Sequence, residues 1–137
     1  MGLGFEALGD LPGGAEDAAA YDVTPDGETL VGYGYSPGGR EAVRWTSADG
    51  LVGLGDLPGG NVGSLAVAIN NAGHAAGSSF IANGSSGGFY WTPDAGMIAI
   101  GSLQTGNDYS IPNGINNRDQ IVGLTNGASP NEAFLWD

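Results

Sequence analysis

The stretch "LGDLPGG" stands at residues 8–14 and recurs letter for letter at 54–60, and a degraded copy, "IGSLQTG", fills 100–106. The three copies begin 46 residues apart, so the phrase marks a period and not a local bias of composition. Other positions keep the interval to within one residue. Val23, Ile69 and Ile115 align, each followed by a turn written "TPDG", "NNAG" or "NNRD". "TLVGYGY", "HAAGSSF" and "QIVGLTN" bring Gly32, Gly77 and Gly123 into register. "EAVRWT", "GFYWT" and "EAFLWD" do the same for Trp45, Trp91 and Trp136. A period in the forties means stacked units that cannot bury their apolar faces alone. The units run approximately 1–50, 51–96 and 97–137 of a single repeat domain.

Within each unit, short apolar alternations separated by Gly, Pro, Asn and Asp predict four strands. In the first unit these are "AAYDV", "TLVGYGY", "EAVRW" and "LVGLGDL", strand types a to d. No segment sustains an apolar stripe at 3.6-residue spacing, and the Ala run at 18–20 is too short to nucleate a helix. The expected class is all-β. Type a is crowded with small residues (Ala18, Ala19, Ala20; Ala66, Ala68; Gly114), as expected where units converge, and the tryptophans are the expected packing anchors between units.

Repeats of the form "LGDLPGG…A…IN..G..VG……AF.W" resemble the HAF-type extracellular repeats of prokaryotic proteins over essentially the whole chain. Residues 21–46, "YDVTPDGETLVGYGYSPGGREAVRWT", are also similar to a WD-repeat or TolB-type propeller blade. The Trp-Asp and Gly-His pairing of a true WD repeat is absent, apart from Trp136-Asp137. What the resemblance implies is a β-propeller blade of four antiparallel strands with type a lining the central channel. It also implies an extracellular or cell-surface parent protein.

The strand order is d-abc-d-abc-d-abc, with a lone d strand at 3–9. Three blades are too few for a ring. Two copies related by a twofold axis make six, each lending its first d strand to complete the partner's last blade. The two junctions are expected to bury on the order of 2,000 Å², in the range of obligate dimers. A β-trefoil or β-prism is the alternative, and either closes as a monomer. The clean start at a d strand and the near-identity of the first two units also suit a cut or engineered half-propeller fragment.

Fifteen Asp and Glu face three Arg and no Lys, a net charge of −12. Phosphate binding runs on Lys and Arg, so neither nucleic acid nor an anionic membrane is an expected partner. There is no cysteine, hence no disulfide and no thiolate metal site. No apolar run reaches membrane-helix length, "MGLGFEALGD" is not a signal peptide, and the compartment is left open.

Chemistry-bearing signals are sparse. His74, the single histidine, follows a turn and is expected to be an exposed turn residue. Asp10 and Asp56 belong to the repeated phrase and read as turn or capping acids. "GLGDLPGG" at 53–60 has the wrong spacing for a dinucleotide loop. Asp22 and Asp26 do not gather enough oxygen ligands in one loop for Ca²⁺, and "NGS" at 83–85 is only a formal glycosylation acceptor. No catalytic residue, metal or cofactor is expected. The d–a loops "PGGAEDAA", "PGGNVGSL" and "TGNDYSIP" differ while the strands agree, and loops free to vary carry function. Glu16, Asp17, Asn61, Ser64, Asn107, Asp108 and Tyr109 are therefore the binding candidates, for a sugar or a polar peptide. The expected function is a non-enzymatic module that self-assembles and offers a binding or scaffold surface. A carbohydrate-binding lectin is the alternative, and a glycan hydrolase or lyase a third.

Overall fold

A computed structural model of the chain describes residues 4–104, 106, 108–126 and 131–137. Eleven strands and no helix occur among them: β1 Ala19–Val23, β2 Thr29–Ser36, β3 Gly39–Thr46, β4 Gly50–Gly55, β5 Ser64–Ile69, β6 Ala75–Phe80, β7 Ser86–Thr92, β8 Gly96–Ala99, β9 Ser110–Ile115, β10 Ile121–Thr125 and β11 Glu132–Trp136. They form three antiparallel meanders, β1-β2-β3-β4, β5-β6-β7-β8 and β9-β10-β11, and no ladder joins one sheet to another. The third sheet has three strands, a, b and c without a d strand of its own, the number expected of a single chain. Of the strand expected at 3–9, the described residues 4–9 lie outside any strand, because a strand needs a hydrogen-bonded neighbour and these pair with none among the described residues.

The first strand of each sheet carries a bulge. Pairing skips one residue between Ala20 and Asp22, between Ala66 and Ala68, and opposite the step from Val122 to Gly123, leaving Tyr21, Val67 and Asn113 as the extra residues. A bulge pushes backbone toward the neighbouring strand, and the aligned glycines make room for it. A Cβ on Gly32 would stand 1.8 Å from the Ala19 carbonyl oxygen, one on Gly77 2.0 Å from that of Leu65, and one on Gly123 2.1 Å from that of Ile111.

Each tryptophan lies opposite a partner on a neighbouring strand: Trp45 faces Leu51, Trp91 faces Met97 and Trp136 faces Ile121. The tryptophan side of one sheet packs on the opposite side of the sheet before it. Val31 and Ala42 of the first sheet share a core with Ala75 and Phe89 of the second, and Trp91 and Met97 close over it. One junction later, the Trp136 ring lies 5.4 Å from that of Tyr90.

The repeated phrase is the crossing from one sheet to the next. Gly55 adopts φ +84°, a left-handed conformation that turns the chain off β4. Asp56 accepts the Gly63 N–H through Oδ1 at 2.9 Å, bracing the loop from within. Leu57, buried, then plugs into the second sheet and donates its N–H to Ser79 Oγ at 2.9 Å. Leu11 of the first copy is buried in the same way against Gly34 and Val43, whereas Leu103 of the degraded copy is exposed.

A serine fastens each crossing. Ser64 Oγ receives the Ala42 N–H at 2.8 Å and donates to the Gly55 carbonyl at 2.7 Å. Ser110 Oγ does the same with the Gly88 N–H at 2.8 Å and the Gly101 carbonyl at 2.7 Å.

Candidate functional site

The seven residues expected to bind a ligand are spread over the three connections that lead into β1, β5 and β9. Glu16, Asp17, Asn61 and Asp108 are exposed and Tyr109 is half-buried, its carbonyl accepting the Thr125 hydroxyl at 2.7 Å. Asn107 lies outside the described residues. Ser64 is fully buried with its hydroxyl held on both sides, so it belongs to the junction between sheets and is not offered to a ligand.

Asp17 is the candidate with the most developed surroundings. Strand β2 alternates, so Tyr33 and Tyr35 emerge on one side, and the bulged Tyr21 of β1 joins them. The Tyr33 ring is 5.9 Å from Tyr21 and 6.1 Å from Tyr35, the latter edge to face. The Arg40 guanidinium stands 5.9 Å from the Tyr33 centroid, and the Tyr33 hydroxyl donates to Asp17 Oδ1 at 3.4 Å. The nearby Asp17 charge pushes the Tyr33 phenol above its ordinary range. Three aromatic faces, a carboxylate and a guanidinium thus share one surface of the first sheet. The equivalent positions of the other units hold no such row: Ser78 and Leu124 replace Tyr33.

A second cluster spans the second and third sheets. His74, expected to be a free turn residue, is instead half-buried, with Nδ1 2.8 Å from Asp119 Oδ1 and 3.1 Å from the Tyr90 hydroxyl. One ring nitrogen carries at most one proton, so with that proton aimed at Asp119 the phenol is left to donate to the same carboxylate. Asn70 Nδ2 adds a bond to Asp119 at 2.7 Å. Burial alone would raise the Asp119 carboxyl, but the hydrogen bonds from His74 and Asn70 outweigh it and hold the group below the usual carboxylate range. Burial and the carboxylate together push the Tyr90 phenol up. Asp119 occupies the turn position of Gly27 and Gly73 and keeps their left-handed backbone, at φ 62°. His74 and Tyr90 of the second unit and Asp119 of the third thus form a latch between sheets.

A groove of about 340 Å³ opens above the second sheet, bordered by Leu57, Pro58, Ile81, Asn83, Gly87 and Asp108. One unit earlier, Val62 packs on Gly38 and Gly39 at the corresponding place. Asp108 stands where that valine would fall, is exposed, and borders the groove. Neither aspartate weighed for Ca²⁺ is free: Asp22 accepts the N–H groups of Val23 and Ile69, and Asp26 those of Glu28 and the Thr24 hydroxyl. Among the described residues no three His, Cys, Asp or Glu gather to hold a metal.

No protein-family model, no curated protein and no solved structure matches the chain.

Proposed function

We propose that the chain is a non-enzymatic repeat module, two copies of which close a six-bladed β-propeller that serves as a binding or scaffold domain. One comparison carries the reading. Val31, Ala76 and Val122 occupy the same place in β2, β6 and β10, yet the first two are 1% and 0% exposed and the third 48%. The next sheet covers the first two; nothing among the described residues covers the third. The opposite flank mirrors this: Val23 is 47% exposed where its counterpart Ile69 is 6%. An apolar cleft of about 140 Å³, lined by Leu30, Val43, Trp45 and Leu51, lies open there. The molecule therefore shows one face of each polarity, and a second copy supplies both partners at once.

Residues 4–9 align with Gly50–Gly55 of β4, so Phe5 takes the place of Leu51 and Met97, which face Trp45 and Trp91. Phe5 is fully exposed, and among the described residues no fourth strand lies beside Trp136. In the proposed ring the partner's Phe5 covers Trp136. Three separate meanders favour this arrangement over a β-trefoil, whose units share one barrel.

Light scattering tests the proposal. A mass of twice the 13.7 kDa chain is expected, and Phe5→Ser should return a folded species of single-chain mass. A wild-type chain that stays single and unfolds cooperatively would overturn it.

A second reading, carbohydrate binding, is favoured by the tyrosine row beside Asp17 and Arg40. Sugar rings stack on aromatic faces while carboxylate and guanidinium take their hydroxyls. A glycan array probed with the wild type and with Tyr21→Ala tests it. Binding lost in the variant supports the reading, and a silent array for the wild type rejects it.

A further inference from the structure

We infer that residue 18 sets the strength of the contact between two copies, because the open edge of the third sheet is shaped to receive a hydroxyl that Ala18 does not provide. The inference rests on the two-copy reading above.

The geometry comes from the serine junctions. At the third and fourth strands of the first sheet the ladder shifts: Ala42 lies opposite Gly55, but Val43 lies opposite Gly53. The shift spreads the Ala42 N–H and the Gly55 carbonyl apart, and Ser64 Oγ fills the gap, bonded to both. One serine thereby ties three strands of two sheets. Ser110 repeats the arrangement one unit later with the same distances to Gly88 and Gly101. A pair of buried serines 46 residues apart, each serving a donor and an acceptor, is a built joint and not a coincidence of composition.

The third joint can be located residue by residue. Ala42 faces Tyr33, Gly88 faces Ser78 and Ala133 faces Leu124, so Ala133 holds the donor's place in the third sheet. Gly9 holds the acceptor's place, 46 residues before Gly55, with the same left-handed backbone at φ +83°. The place of Ser64 and Ser110 in the first unit is Ala18. When residues 4–9 of one copy lie along β11 of the other, residue 18 of the entering copy stands between Ala133 and Gly9. A methyl group there neither accepts nor donates, and both backbone groups lose the partner that the internal joints supply. The seam between copies is therefore the weak one, and the ring opens there and not within a chain. Ala18 is exposed in the single chain, so a hydroxyl at this position leaves the folded arc undisturbed.

The test compares the wild type with Ala18→Ser and with Ala18→Cys under reducing conditions, the thiol being a near-isostere with weak hydrogen bonding. Dissociation constants come from dilution, and subunit exchange between labelled copies reads a dimer too tight to dilute. Ala18→Ser should tighten the dimer about tenfold or more, since two seams each gain a bridged pair, while Ala18→Cys changes it little. A wild type that dimerises but gains nothing from serine, or gains as much from cysteine, overturns the inference and leaves the two-copy reading standing. Wild type and variant both remaining single at every concentration overturns the two together.

Discussion

Asp22 reaches out of β1 to β5, where its Oδ2 accepts the Ile69 N–H at 2.9 Å while Oδ1 accepts the Val23 N–H at 2.9 Å. Its counterparts, Ala68 and Gly114, have no side chain that reaches, so the second junction is tied differently: Asn70 Nδ2 donates to the Asn116 carbonyl at 2.9 Å. Ile69 is only 6% exposed, so its N–H has little access to water if the carboxylate is removed. Asp22→Ala should cost about 1–3 kcal/mol, the penalty of an orphaned buried donor, and Asp22→Asn less, since an amide oxygen still accepts. Urea denaturation at neutral pH measures both.

Ser64→Ala and Ser110→Ala each strip a hydroxyl from a buried donor and acceptor at once. Each should lower stability by about 1–3 kcal/mol. The two sites share no partner, so the double variant should lose close to the sum, within about 0.5 kcal/mol. A double variant no weaker than either single one would show that the joints are not independent.

Gly77→Ala introduces a Cβ 2.0 Å from the Leu65 carbonyl oxygen and 2.7 Å from the ring tip of Phe89. Backbone is the nearer obstacle, so the bulge must move and the centre of the core with it. A loss of about 1–3 kcal/mol is expected from such overpacking. Gly73→Ala, one turn away, meets nothing within 4 Å and bears only the cost of its φ of +78°, about 1–2 kcal/mol. Thermal unfolding of the pair separates crowding from backbone preference.

The His74–Asp119 latch predicts a dependence on acid. A carboxyl held below its ordinary range stabilises the fold above the unfolded value, near pH 4, and that gain disappears as pH falls through the lower folded value. Asp119→Asn should therefore be less stable than the wild type at pH 7, and the gap should close below about pH 4. The Asp119 side chain is 40% exposed, so solvent screening keeps the gap small. Urea midpoints of both proteins across pH 3–7 would show whether the curves converge.

The period made most of the architecture legible. Strand β1 is the segment "AAYDV" and β2 begins at "TLVGYGY", because turn residues and alternation set both ends locally. What the letters hid was contact across units. His74 read as a free turn residue because its partner is 45 positions away, and Ser64 read as a ligand group because its loop varies. Stacking by a fixed interval places residues one period apart side by side, as Asn71 and Asn117 are, bonded at 2.9 Å. Searching for polar pairs at that offset would have found Asn70 with Asn116, and for identical polar residues at that offset, Ser64 with Ser110. The tyrosine row was missed for a different reason: Tyr21 joins Tyr33 only because a bulge turns it, and bulges leave little trace in alternation.

The tryptophan side of each sheet looks back along the chain and the valine side looks forward, so the molecule has a head and a tail. Lengthening by whole units leaves both ends as they were, and a gene that gains or loses one such unit still encodes matching ends. A break inside a unit spoils both. In the proposed two-copy ring, each whole unit added or removed would change the arc left for the second copy to close, while the two faces that meet stay the same.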